Sequence, residues 1–163
     1  MSSKYFLFVV LIMVGGLANA SCNGFVDSRL GSVIGGKAID DGSLPFNAEV
    51  GAECSKRYYS LGAGGGHRSN ADLDGDEYAN EYLFAKVNLF LPVAKGNRIY
   101  LEGSVGKLVT GEQDDDGNYP YWYGGGIEHV TEGFNFRVGW LQSERNGGSR
   151  SLGSLGLGVK FKI

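Results

Sequence analysis

Strict two-residue alternation is the feature that most limits what this chain can become. It is clearest at the C-terminal end. Gly153, Leu155, Leu157, Val159, Phe161 and Ile163 fall on one face, and Ser154, Gly156, Gly158, Lys160 and Lys162 on the other. Successive side chains of an extended strand point to opposite faces, so this pattern specifies a strand with one apolar side. Six further segments behave alike: Phe46–Cys54, Arg57–Arg68, Leu83–Leu91, Ile99–Gly106, Tyr121–Glu128 and Phe134–Gln142. A weaker eighth strand is expected at about Arg29–Ile39. No segment carries a convincing apolar stripe at helical spacing.

The connections carry separate information. Tight turns are predicted at Ser55-Lys56, Ala94–Asn97 and Thr131–Gly133. Longer, polar connections are predicted at Asp40–Pro45, Asn70–Asn80, Glu112–Pro120 and Arg145–Ser151. Long and short therefore alternate, so an up-and-down antiparallel barrel would gather the long loops at one end, with the turns and both termini at the other. That arrangement is typical of transmembrane barrels. The predicted fold is all-β: an eight-stranded antiparallel up-and-down transmembrane β-barrel.

Period two alone does not say which face meets lipid, because a soluble lipocalin-like barrel alternates too. The polar face here carries Gly, Ser and ionisable groups of both signs: Glu49, Glu53, Lys86, Glu102, Glu128, Arg137 and Lys160. The N-terminus also has the form of a secretory leader. Lys4 precedes the apolar run Tyr5–Val14, and Ala18-Asn19-Ala20 is a small-x-small site, so residues 1–20 are expected to be cleaved and 21–163 to form the barrel domain. The run is too short for a membrane-spanning helix. Asn19, three residues before Cys22, argues against a lipoprotein signal. Together with the loop asymmetry, the leader favours charges inside and apolar groups outside. Glu49, Glu53, Glu102 and Glu128 are then expected to neutralise Lys86, Arg137 and Lys160 across a narrow lumen, with Lys162 and Arg68 as further candidates. Burial of such ions costs several kcal/mol each unless they are paired.

Composition excludes other classes. Gly is 28 of 163 residues, about 17% against a usual ~7%. There is no collagen-like period. The clusters Gly62–Gly66 and Gly124–Gly126 lack the Lys-Ser/Thr of a phosphate loop, and read as thin strand lining a lumen. The formal charge is −3, or −4 after Lys4 leaves with the leader, which argues against nucleic acid as a partner. Cys22 and Cys54 are too few for a four-ligand zinc site. Both are expected at the turn end in an oxidising compartment, where a disulfide and free thiols are both open.

The sequence resembles the small outer-membrane β-barrels: the OmpA-type membrane domain and, more closely, the OmpX/Ail group of single-domain barrels. The resemblance rests on Tyr123-Gly124-Gly125-Gly126-Ile127-Glu128, then Phe134-Asn135-Phe136-Arg137-Val138-Gly139-Trp140, then Leu155-Gly156-Leu157-Gly158-Val159-Lys160-Phe161. It covers about residues 45–163. Gly158, Phe161 and Ile163 also resemble the C-terminal signal read by the outer-membrane assembly machinery, although that signal usually ends in an aromatic residue. The resemblance implies a non-enzymatic envelope protein in contact with outer-membrane lipid and lipopolysaccharide, with periplasmic termini and extracellular loops. Envelope integrity, adhesion and resistance to host defence are the implied roles, with a host or other extracellular ligand met by the loops.

Rival chemistry is thin. His67 and His129 are the two histidines, expected at opposite ends of the barrel, where they could not cooperate in a Ser-His-acid site on lipid A. Asp72, Asp74, Asp76 and Glu77 hint at calcium, but Gly75 is misplaced for an EF-hand and position twelve is Leu83. With Asp114, Asp115 and Asp116 they read as an acidic surface rim, able to bridge weakly to lipopolysaccharide through divalent ions. No cofactor or metal is expected. A small pore and a soluble periplasmic binding barrel complete the alternatives.

Overall fold

The computed structural model describes residues 20–35, 46–71, 77–109, 121–145 and 148–163. Eight strands follow in chain order: β1 (Ser21–Gly35), β2 (Phe46–Ser55), β3 (Tyr59–Ala71), β4 (Glu77–Ala94), β5 (Asn97–Leu108), β6 (Tyr121–Val130), β7 (Phe134–Arg145) and β8 (Gly148–Lys162). Each pairs antiparallel with its sequence neighbours, and β1 pairs with β8, so the sheet closes. Closure gives every ladder a partner and leaves no open edge. A sheet meets that condition in hydrocarbon, where water cannot satisfy exposed backbone groups, only by closing on itself.

The apolar face points out. Leu155 is 54% exposed, Phe136 47% and Val138 47%, whereas Lys86 is 6% exposed, Arg137 3% and Glu128 0%. The height of the apolar band also fits a bilayer. On β4 it runs from Leu83 to Val93, ten residue steps or ~33 Å along the strand. At a tilt of ~40° that is about 25 Å along the axis, the height of the apolar belt of outer-membrane barrels. Tyr121, Tyr123 and Trp140 stand exposed toward one rim, and Tyr58, Phe134 and Phe161 toward the other.

The short turns share one end. Gly96 (φ 76°) and Gly133 (φ 82°) occupy left-handed backbone there, which a side chain would disfavour. A different need is met by Gly126 and Gly139, register partners on β6 and β7. A Cβ on Gly126 would lie 2.1 Å from the Val138 carbonyl oxygen, and one on Gly139 2.2 Å from that of Gly125. The two strands approach so closely that neither position has room for a side chain.

Three boundaries differ from the alternation reading. β1 begins at Ser21 rather than near Arg29. Its outward face mixes Val26 and Leu30 with Gly24 and Ser28, and Phe25 points inward, so hydropathy does not alternate. The connection predicted at Asn70–Asn80 is cut to residues 72–76, because β3 runs to Ala71 and β4 starts at Glu77. Likewise β7 and β8 extend to Arg145 and Gly148. These end segments, Ser69–Ala71, Glu77–Asn80, Ser143–Arg145 and Gly148–Arg150, are mostly polar or small and carry no apolar alternation. The ladder continues there without a hydropathy signature.

Candidate functional site

The lumen is filled in two layers. The layer toward the long-loop end is aromatic and aliphatic: Phe25, Tyr82, Phe84, Trp122, Leu141 and Leu152 form one buried cluster. Tyr82 meets Trp122 edge-on at 5.2 Å between ring centroids and Phe84 at 5.8 Å. An eight-stranded barrel is just narrow enough for its own side chains to fill.

The layer toward the turn end is ionic. Arg137 on β7 is its hub. Its Nε donates to Glu128 Oε1 at 3.0 Å and its Nη1 to Glu102 Oε2 at 3.1 Å, with Asp27 Oδ2 at 3.5 Å. Arg29 on β1 donates through both terminal nitrogens to Glu102, the Nη2–Oε2 bond being 2.8 Å, and to Asp27 at 3.1 Å. Glu128 also accepts from Arg98 Nε and, at 2.7 Å, from Asn135 Nδ2. Two smaller groups flank this hub. Lys86 Nζ donates to Glu49 at 2.9 Å, and the Tyr82 hydroxyl lies 3.1 Å from Glu49 Oε1 and 2.6 Å from Asn47 Oδ1. Lys160 Nζ donates to Glu53 at 2.6 Å, and Ser60 and Asn88 donate to the other oxygen of Glu53.

The aromatic rings help to hold the cations. Lys86 Nζ lies 3.9 Å from the Phe25 centroid, Arg98 Cζ 3.4 Å from that of Phe90 and Arg137 Cζ 5.1 Å from that of Tyr100. Such contacts strengthen where water is excluded. Asp27 Oδ1, Arg29 Nε and Asn88 Oδ1 are buried without a hydrogen-bond partner among the described residues.

The sequence-derived residues are thus placed as follows. Glu49, Glu53, Lys86, Glu102, Glu128, Arg137 and Lys160 all enter the lumen and pair there. Arg68 faces the Trp122 ring at 5.8 Å, and Lys162 is exposed beyond the network. Asp27, Arg29, Arg98 and Asn135 were not among the expected members. The first two lie on the strand that alternation misplaces, although Asp27-x-Arg29 puts opposite charges on one face of an extended chain. Arg98 follows a predicted turn directly, where charge is ordinarily solvated.

Cys22 and Cys54 are register partners on β1 and β2 and form a disulfide. The bond lies on the outer face at the turn end. Cys22 falls inside β1 rather than before it. His67 is exposed on β3, register partner to Glu81 near the long-loop rim, and His129 is exposed near the turns, with Nδ1 2.8 Å from Asn97 Oδ1. Asp72, Asp74, Asp76, Asp114, Asp115 and Asp116 lie outside the described residues. Glu77 opens β4 opposite Ala71 rather than sitting in a loop.

No protein-family model matches the chain, and no curated protein matches it. Solved structures do. The chain is similar to neisserial surface protein A, with TM-score 0.56 and 14% identity over 87% of this chain and 97% of that one. It is similar to the N-terminal β-barrel domain of Pseudomonas aeruginosa OprF, with TM-score 0.55 and 11% identity over 88% and 100%. It is also similar to a de novo designed transmembrane β-barrel, with TM-score 0.53 and 14% identity over 85% and 94%. Likeness to a designed chain shows that what is shared is architecture. The protein has the fold of the small eight-stranded outer-membrane barrels.

Proposed function

We propose that this chain is a non-enzymatic integral protein of the outer membrane, which uses a filled barrel as an anchor and its longer loops as an interaction surface. The observation that carries the reading is the reversal of burial: apolar side chains outside in a band of bilayer height, paired ions inside. In water that arrangement would be costly twice over, through exposed apolar area and through desolvated charge. In lipid the first cost disappears, and pairing offsets the second. With aromatic side chains packed across the lumen, the barrel is not suited to be a wide pore.

In this reading residues 1–20 are a leader removed after Ala20. The C-terminal strand ending in Phe161 and Ile163 addresses the assembly machinery. The termini are periplasmic, and the connections at 36–45, 72–76 and 110–120 are extracellular. Their acidic residues, Asp72, Asp74, Asp76, Asp114, Asp115 and Asp116, lie where lipopolysaccharide and any host or other extracellular ligand would be met. Envelope integrity, adhesion or resistance to host defence is the role this surface serves.

The test is fractionation joined to surface labelling. The protein should sediment with outer membranes, require detergent, and shift on gels after heating. An epitope inserted at 110–120 should bind antibody on intact cells, and one at Lys95-Gly96 only on opened cells. Release as a soluble periplasmic protein, or the opposite labelling pattern, would overturn the reading.

A further inference from the structure

The two layers of the lumen do not meet flush. Between them is a void of about 20 Å3 lined by Arg29, Asn47, Arg68 and Ser154 and, from the apolar layer, by Leu141 and Leu152. The register explains it. Arg29, Asn47 and Arg68 are successive partners on β1, β2 and β3, so their long polar side chains enter the lumen at one level. Ser154 on β8 stands opposite Gly31 on β1 and Gly139 on β7, so little fills the space beside them.

The lining is rich in donors. Both terminal nitrogens of Arg29 are committed to Glu102 and Asp27, while its Nε is buried without a partner among the described residues. A guanidinium can only donate. Asn47 Oδ1 already accepts from the Tyr82 hydroxyl, and its amide donates at no better than 3.4 Å to Glu49. Arg68 brings a second positive charge and Ser154 a hydroxyl. No carboxylate lines the void among the described residues, and Asp27, Glu49 and Glu102 are each paired with a cation. A water molecule there would bring two hydrogens of its own to side chains that offer few acceptors. An anion would bring none and accept from all of them.

We propose that this void binds one monatomic anion of the halide class, chloride in ordinary salt, held by Arg29 and Arg68 with Asn47 and Ser154. One water-sized sphere needs about 10–15 Å3, so the space admits a single such ion and excludes phosphate, sulfate and carboxylates. The ion draws together β1, β2, β3 and β8, across the β1–β8 seam by which the barrel closes.

The test is urea titration of the full mature barrel in vesicles at constant ionic strength, with chloride replaced stepwise by gluconate. The folded fraction is read from the heat-dependent gel shift. Once chloride exceeds its dissociation constant, each tenfold rise should raise the folding equilibrium about tenfold, and bromide should act alike. Arg68→Gln removes a cation, and Ser154→Val fills the void without touching a charge; both should flatten the dependence. Where one variant does not fold in gluconate, the other carries the comparison. Bromide-soaked crystals should show anomalous density between Arg29 and Arg68. A midpoint indifferent to chloride, an unchanged dependence in a folded variant, or water alone in the void would overturn the proposal. A heat shift absent from the unaltered protein would instead break the barrel reading itself.

Discussion

Glu128→Gln removes one negative charge from the ionic layer and almost no volume. The Glu128 side chain is fully buried and accepts from Arg137, Asn135 and Arg98. After the change Arg137 keeps Glu102 at 3.1 Å and Asp27 at 3.5 Å. Arg98 loses its ion pair and, among the described residues, keeps the Phe90 ring as its other cation contact, with 18% of its side chain exposed. Breaking a buried pair ordinarily costs ~3–5 kcal/mol. The partners left to Arg137 place this case at the lower end, about 3 kcal/mol, or about 150-fold in the folding equilibrium. With a urea dependence of ~2 kcal/mol per molar, the midpoint should fall by about 1.5 M. The assay is urea titration of the barrel in lipid vesicles, followed by the heat-dependent gel shift. Glu132→Gln, in an exposed turn, is the control and should stay within ~0.5 kcal/mol of the unaltered protein. Adding Arg98→Met to Glu128→Gln should recover part of the loss, since the stranded cation is then gone. If Glu128→Gln and Glu132→Gln share one midpoint, the lumen ions do not hold the barrel as argued.

Three other changes probe different parts of the structure. Leu157→Arg places a charge within the outer apolar band and should cost ~2–4 kcal/mol in vesicles by the same titration. On a water-exposed surface it would cost almost nothing. Serine at both Cys22 and Cys54 opens a link between residues 32 apart, and should lower the oxidised protein's stability by ~2–5 kcal/mol; reductant should lower the unaltered protein's midpoint to that of the double variant. Gly126→Val drives a side chain into the Val138 carbonyl and should cost about 3 kcal/mol or more, seen as loss of the compact unheated band on gels.

The outer band was legible in the sequence because lipid imposes one demand on one face. Seven strands carry that demand along most of their length, from Phe46 to Phe161. The interior was legible only in part. Lys86 and Asn88 mark the lumen face of β4, but Tyr82 and Phe84 share that face, and next to Leu83 and Ala85 they make both sides apolar. Alternation vanishes where a barrel fills its own core. The same loss hides Phe25 and, with it, the whole of β1, so Asp27 and Arg29 could not be joined to Glu102 and Arg137. Pairing across the lumen depends on the stagger of the closed sheet, which no local pattern records. The Cys22–Cys54 bond needed the β1–β2 register for the same reason.

The two tryptophans report directly on which face meets lipid. Trp122 is 4% exposed and inside the lumen; Trp140 is 42% exposed and outside. Each can be isolated by changing the other to Phe, and its fluorescence measured in vesicles whose acyl chains carry bromine at successive depths. Brominated chains should quench Trp140 strongly and Trp122 scarcely at all. Strong quenching of Trp122, or a Trp140 that responds to aqueous iodide and ignores the bromolipids, would contradict the inside-out assignment.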